Sequence, residues 1–173
     1  AEVTVVTGRS AVPVPDYIRT IPVTSADEMR AALEKEFPAT DICIMAAAVS
    51  DFRPEHCSAQ KIHREDGATN PVIRLVPNPD IARTLGTRKK DQILVCFSLE
   101  TEPGTERARK KMKSKHCDIM IVNDHNTIDA DTTAVTVLSD RDEAEIQSGE
   151  MSKREAAAFI LKHIARCVGS TNE

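Results

Sequence analysis

Between Asp41 and Pro54 the chain reads DICIMAAAVSDFRP. Asp41–Met45 is an apolar run of strand length, with no polar alternation, as expected of a strand buried on both faces in a parallel sheet. Ala46, Ala47 and Ala48 follow, and Asp51 comes just after them. Side chains this small let another molecule lie against the backbone. In open α/β sheets ligands bind beyond the carboxyl ends of the strands, which is where Asp51 falls.

Similar runs recur on either side of this stretch. Strands are expected at Val3–Thr7, Thr20–Val23, Ile42–Met45, Val72–Val76, Ile93–Phe97, Ile119–Val122 and Ala134–Leu138. Helical patterns fall between several of them. Ser25–Phe37 opens with a capping box, Ser25 and Glu28, and spaces Met29, Leu33 and Phe37 four apart. Ser152 and Glu155 repeat the device before a helix that stops at Gly169. Thr105–His116 reads as a basic helix, and Pro79–Leu85 as a short one with proline in its first turn. The order predicts an α/β fold: a three-layer α/β/α, Rossmann-like domain with a mostly parallel sheet. TTAVTVLSDRDEAEIQS, starting at Thr132, places alternating segments around a polar turn and predicts an antiparallel hairpin at one sheet edge. No repeat or linker interrupts the chain, so residues 1–173 are expected to form a single domain. Because the chain starts directly in a strand, a leading βα unit is expected to be missing.

Composition agrees with this class. Aromatic residues are only 3% of 173 and tryptophan is absent, so the core must be aliphatic. The net charge of −4 gives no general basic field, and nucleic acid is not an expected partner. No apolar run is long enough to span a bilayer and no secretory signal opens the chain, so a cytoplasmic location without membrane contact is expected. The five cysteines are odd in number and lack any C-x-x-C, which argues for reduced thiols rather than a disulfide framework. His56–Cys57 and His116–Cys117 lack the spacing of a structural zinc site.

Four patches carry candidate chemistry. An aspartate such as Asp51 can bind ribose hydroxyls or magnesium, although the alanines before it would equally serve tight helix-on-sheet packing. Lys61 lies in a polar loop, where most lysines are simply solvated. Asn78, Pro79 and Asp80 precede a short helix whose free N–H groups favour anions; Asn78 or Asp80 would also serve as a plain cap. Phe97 ends an apolar strand, and Lys111 and Lys115 lie four apart on one helical face, where an anion or solvent must separate two ammonium groups. Together they describe a nucleotide pocket with lysines, metal-binding carboxylates and a flat apolar wall.

The ordered set MAAAVSDFRP, the loop lysine Lys61, NPDIA, FSLETE, the basic helix and CDIMIVND resembles the phosphopantothenoylcysteine synthetases along nearly the whole chain. The opening AEVTVVTGRSAVPVPDYIRTIPVTSADEM is similar to that family's second strand, proline-containing loop and helix start. The resemblance implies a ligase of coenzyme A biosynthesis. The carboxylate of 4′-phosphopantothenate attacks the α-phosphate of CTP, or of ATP in eukaryotic members, and cysteine then displaces the nucleotide. CTP is expected here because NPDIA is the bacterial form.

Carried over by residue, the resemblance implies that Met45, Ala46 and Ala47 approach the nucleotide through their backbone. Asp51 would touch the nucleotide or its Mg2+, and Asp80 would be a second metal ligand. Pro79, Asp80, Ile81 and Ala82 would lie by the phosphates, Phe97 would line the base, and Lys111 and Lys115 would complete the nucleotide site. Lys61 would act catalytically on the acyl-nucleotide. A homodimer, fusion to or association with a flavin-dependent decarboxylase, and no flavin in this chain are also implied. The family's glycine-rich opening and its Asn-Ser-Ser-Gly segment do not occur in the chain, and KIHRE after Lys61 replaces a lysine-rich loop. A nucleotide-binding module without full ligase activity is the alternative. A Rossmann dehydrogenase is disfavoured because no G-x-G-x-x-G follows a first strand.

Overall fold

The structure, a computed structural model, describes residues 1–58, 60–61, 72–100, 105–124 and 131–169. The chain divides into two compact units, one of residues 1–33 and 47–80 and one of residues 34–46 and 81–173.

In the first unit, β1 (Thr4–Thr7) and β2 (Arg19–Pro22) pair in parallel, Thr4 opposite Arg19. Helix α1 (Ala26–Glu36) begins as the capping box requires. The Glu28 N–H donates to Ser25 Oγ at 3.2 Å, and Glu28 Oε2 accepts from the Thr24 N–H at 2.6 Å and the Thr24 hydroxyl at 2.8 Å. These bonds to Thr24 hold the Glu28 carboxyl below its ordinary range. The helix crosses the division of the chain at Leu33. β4 (Phe52–Pro54) pairs antiparallel with β5 (Leu75–Pro77), Arg53 opposite Val76. The ribbon departs from the sequence reading, which missed β4 and placed the later strand at Val72–Val76. Pro54 and Pro77 lie at the ends of this two-stranded ribbon, where a missing N–H costs no inner ladder bond.

The second unit is an α/β layered fold. Its sheet runs β3-β6-β7-β8-β9, from β3 (Ile42–Met45) through β6 (Ile93–Glu100), β7 (Ile119–Asp124) and β8 (Thr132–Ser139) to β9 (Glu145–Ser152). β3, β6 and β7 are parallel, and the expected antiparallel hairpin, β8–β9, closes one edge. A register shift between Ala134 and Thr136 bends this hairpin. There Ser148 Oγ accepts the Val135 N–H, and Gly149 takes a φ of 70°, a backbone that side chains disfavour.

Alternation along β6 sorts the core into two layers. Ile93, Val95 and Phe97 pack with Ile119, Ile121, Val135 and Val137 against Ile160 and Ile164 of helix α4 (Lys153–Gly169). Burying each such aliphatic side chain contributes roughly 1.5–3 kcal/mol. Leu94, Cys96 and Ser98 alternate with them and face helices α2 (Ile81–Arg88) and α3 (Glu106–Lys115). Helix α3 ends on His116 in the left-handed conformation, φ 54°. Helix α2 begins two residues later than the sequence suggested, at Ile81, because Asn78 and the residues around it are hydrogen-bonded elsewhere.

The cysteines depart from expectation. Cys96 and Cys117 form a disulfide with Cα atoms 6.4 Å apart, while Cys43, Cys57 and Cys167 are free. Spacing along the chain conceals the pair: Cys96 faces the helices from β6, and Cys117 starts the turn from α3 into β7. Among the described residues no helix is long and apolar enough to cross a membrane.

Candidate functional site

The sequence placed its candidates beyond the carboxyl ends of the strands, and the structure resolves them into local groups in each unit. In the first unit Asn78 is the organising residue. Its backbone N–H donates to the Asp51 carbonyl at 2.8 Å and its Nδ2 donates to the Ser50 carbonyl at 2.8 Å. Arg53 Nη1 donates to Asn78 Oδ1 at 3.2 Å and to the Pro77 carbonyl at 2.7 Å. The Ser50–Asp51 turn and the Pro77–Asn78 segment are therefore one hydrogen-bonded assembly, which brings Asp51 together with the loop that leads to Pro79 and Asp80. The Asp51 side chain is exposed and makes no hydrogen bond or ion pair among the described residues. Asp80 is exposed and already engaged in an interaction. Sequence reading offered Asn78 as a helix cap; it is instead a clamp between two loops.

Ala47 and Lys61 are exposed in the same unit. No hydrogen bond or ion pair ties Lys61 to the Asp51 assembly among the described residues, and the loop after it, including the rest of KIHRE, lies outside them. Glu100 is described in backbone only, and residues 101–104, which include the end of FSLETE, also lie outside.

In the second unit Met45 is half-buried and Ala46 exposed at the carboxyl end of β3. Ile81 and Ala82 are buried, which leaves their backbone N–H groups as the part that a ligand could use. Phe97 and Lys111 do not share a face. Phe97 packs against the α4 cluster, whereas Lys111 Nζ reaches the hydroxyl of Ser98, the next residue of β6, at 3.1 Å. Ser98 is only 6% exposed. Sequence reading missed it; the signal was a lone hydroxyl on the helix-facing side of an apolar strand. Lys115 lies four residues on, about 6 Å further along α3.

The helix layer also carries a charged group at the other end of the strands. Lys89 Nζ contacts Asp118 Oδ1 at 2.5 Å, and Asp118 Oδ2 accepts the Leu94 N–H at 2.7 Å. A cavity of about 780 Å³ opens here, lined by residues that include Gly86, Lys89, Arg109, His116, Asp140 and Arg141. Its charges largely satisfy one another: Arg109 faces Glu145 at 3.8 Å and donates to the Glu143 carbonyl at 2.6 Å, and Arg141 donates to the Cys167 carbonyl at 3.2 Å. Among the described residues no three His, Cys, Asp or Glu side chains gather as a metal site. For magnesium that is no obstacle, since it takes one or two carboxylates and fills its sphere with phosphate oxygens and water.

Comparison with known proteins places this architecture. The model of the DNA/pantothenate metabolism flavoprotein C-terminal domain family matches residues 1–168. The chain belongs to this family. Within it, the coenzyme A biosynthesis bifunctional protein CoaBC of Bacillus subtilis is 37% identical over 157 residues, covering 88% of this chain and 38% of that protein. A cysteine/cysteine sulfinic acid decarboxylase from an unknown prokaryotic organism is 38% identical over 177 residues, covering 97% of this chain and 48% of that protein. The crystal structure of the C-terminal domain of a CoaBC superposes with a TM-score of 0.81 at 30% identity, covering 98% of this chain and 76% of that one. A Cab2 mutant in complex with phosphopantothenate-cysteine shares the fold, with a TM-score of 0.63 at 19% identity over 89% of this chain and 55% of that one. The chain thus spans less than half the length of the bifunctional relatives it matches.

Proposed function

We propose that this chain is the phosphopantothenate–cysteine ligase part of a coenzyme A biosynthesis protein, using CTP rather than ATP. The observation that carries the reading is the clamp by Asn78, which holds the exposed Asp51 carboxylate beside the Pro79–Asp80 loop in a chain that matches the family over residues 1–168. The relatives named CoaBC, and the fold neighbour seen with phosphopantothenate-cysteine, support the same substrates. A homodimer, and work within or beside a flavin-dependent decarboxylase, go with this reading.

The first step is a problem of charge. A carboxylate must approach a phosphate that is itself anionic, and negative charge grows as pyrophosphate leaves. Lys111 and Lys115 supply ammonium groups to neutralise it. Met45, Ala46 and Ala47 leave the backbone open to the base and ribose, and the Ile81 and Ala82 N–H groups suit phosphate oxygens. The Phe97 ring packs against α4, on the other face of the sheet from Lys111, and takes no part in this reading. In the second step the cysteine amine displaces the nucleotide, and the Lys61 ammonium stabilises the charge that this transfers to the leaving phosphate. Asp51 and Asp80 are hard oxygen donors suited to Mg2+, which when bound would offset phosphate charge.

Calorimetric titration with magnesium-CTP and magnesium-ATP, for the chain and for Asp51→Asn, tests the reading. Binding of CTP that the substitution weakens tenfold or more supports it. No heat with either nucleotide, or heat indifferent to Asp51, overturns it. Pyrophosphate release that requires 4′-phosphopantothenate then distinguishes the ligase from a module that only binds nucleotide.

A further inference from the structure

Asn78 holds the Ser50 carbonyl through its side chain only when its amide faces the right way. An amide turned by half exchanges its oxygen and its nitrogen, and a carbonyl, being an acceptor, bonds the nitrogen alone. Arg53 sets that orientation. Its Nη1 donates to Asn78 Oδ1 at 3.2 Å, while Asn78 Nδ2 donates to the Ser50 carbonyl at 2.8 Å. A guanidinium carries donors and no acceptor, so it meets the amide oxygen and turns the nitrogen toward Ser50.

The guanidinium is itself fixed at two further points. Nη1 also donates to the Pro77 carbonyl at 2.7 Å, and Nη2 lies 3.6 Å from Asp27 Oδ2. Arg53 sits on β4 opposite Val76, next to the Phe52–Pro77 pair, so its side chain runs along the ribbon to reach Asn78. Asp27 belongs to the first turn of α1, where an acidic side chain suits the helix dipole, and it also lies 3.8 Å from Arg30. These contacts differ in kind. Both bonds of Nη1 are charge-assisted and within hydrogen-bond length. The ion pair with Asp27 is longer, and its side chains are 44% and 49% exposed, a setting in which such pairs contribute little. The main hold of Arg53 is therefore on the Pro77–Asn78 segment.

We infer that Arg53 is a positioning residue: it orients the Asn78 amide, and through that amide it sets how well the Asp51 turn and the Pro79–Asp80 loop receive a magnesium-nucleotide. The inference rests on the ligase reading above, since it takes the ligand of these loops to be the nucleotide.

The test is a double-mutant cycle on magnesium-CTP affinity by calorimetry, with Arg53→Met, Arg53→Lys, Asn78→Ala, the double variant Arg53→Met/Asn78→Ala, and Asp27→Asn. Arg53→Met is expected to weaken binding about tenfold, and Arg53→Lys, which keeps a donor, to restore part of the loss. The double variant should bind about as well as Asn78→Ala alone, because both substitutions break the same network. Asp27→Asn should stay within about twofold of the wild type. Wild-type affinity in Arg53→Met would overturn the inference. So would additive losses in the double variant, which would mean that Arg53 meets the phosphates by its own charge. An Asp27→Asn loss as large as that of Arg53→Met would assign the effect to the ion pair and overturn it equally. A second readout needs no nucleotide: hydrogen exchange of the Asn78 backbone amide, which donates to the Asp51 carbonyl, followed by NMR. Arg53→Met should speed that exchange several-fold and Arg53→Lys less, and an unchanged rate counts against Arg53. If the wild-type chain binds no nucleotide, the ligase reading fails, while the exchange rate still decides whether Arg53 sets the clamp.

Discussion

A β-carbon built on Gly86 would overlap the carbonyl oxygen of Lys115, so α2 meets the end of α3 where only a hydrogen atom fits. The obstruction is backbone, and no side chain can swing aside to relieve it. Gly86→Ala is therefore expected to destabilise the chain by about 2 kcal/mol through overpacking, even though alanine is the better helix former by about 1 kcal/mol. Urea unfolding measures this directly. A midpoint equal to or above that of the wild type would mean that the two helices slide freely.

Thiol chemistry should report the Cys96–Cys117 bond. Denatured without reductant, the chain is expected to expose the thiols of Cys43, Cys57 and Cys167, and all five after reduction. In the native chain at pH 8 the exposed Cys57 should be alkylated first, while Cys43, whose burial pushes its thiol up to about 11, should lag. With a sequence separation of 21, loss of the bond is expected to cost about 3 kcal/mol by the chain-entropy argument. Five reactive thiols in the unreduced, denatured chain would contradict the pairing.

Asp140 gives a pH dependence of known sign. Partial burial raises its carboxyl above the ordinary 3.8, the Asp118 charge adds to this, and Lys89 and Arg141 pull the other way. The folded form then holds this proton more tightly than the unfolded chain, so stability falls as pH rises from 3.8 through the raised value. Asp140→Asn should therefore stabilise the chain at pH 7, by less than about 1 kcal/mol because the site is exposed, and the gain should vanish below 3.8. Glu28 and Glu155 act in the opposite sense. Their hydrogen bonds to Thr24 and Ser152 lower both carboxyls, so their contribution is present above 4.5 and lost as pH falls through the lowered values. Urea midpoints from pH 3 to 8 for Asp140→Asn and Glu155→Gln separate the two; a shift of the same sign in both would refute the assignment.

Asn78→Ala removes the side-chain bonds to Ser50 and Arg53 and keeps the backbone bond to Asp51. If the clamp serves the nucleotide, magnesium-CTP should bind about tenfold more weakly. Calorimetry beside a urea curve separates this from unfolding, which should cost about 1 kcal/mol. Undiminished affinity would leave Asn78 a structural residue only.

What could be read in advance follows from how local each signal is. The apolar runs of Ile42–Met45 and Ile93–Phe97 and the capping boxes at Ser25 and Ser152 are decided by neighbours in the chain, and they fold as read. β4 was not legible, because Phe52–Pro54 becomes a strand only by pairing with Leu75–Pro77, more than twenty residues away. The start of α2 was misplaced for a similar reason: the bonds of Asn78 run to Ser50 and Asp51 rather than along a helix. Asp51 and Lys111 stood out by residue type. Ser98 did not, since a serine acquires meaning only when the strand alternation shows which layer it faces.

That alternation also makes β6 a gauge of its own alignment. Moving the strand by a single residue would carry the Ser98 hydroxyl into the aliphatic cluster under Ile160 and Ile164 and turn the Phe97 ring toward Lys111. Both errors are costly at once, one by moving a hydroxyl into an apolar cluster and the other by taking the Ser98 acceptor away from the ammonium. The consecutive pair Phe97–Ser98 thus rejects misalignment from both sides of the sheet, so the chain cannot place its charge wrongly without also spoiling its core.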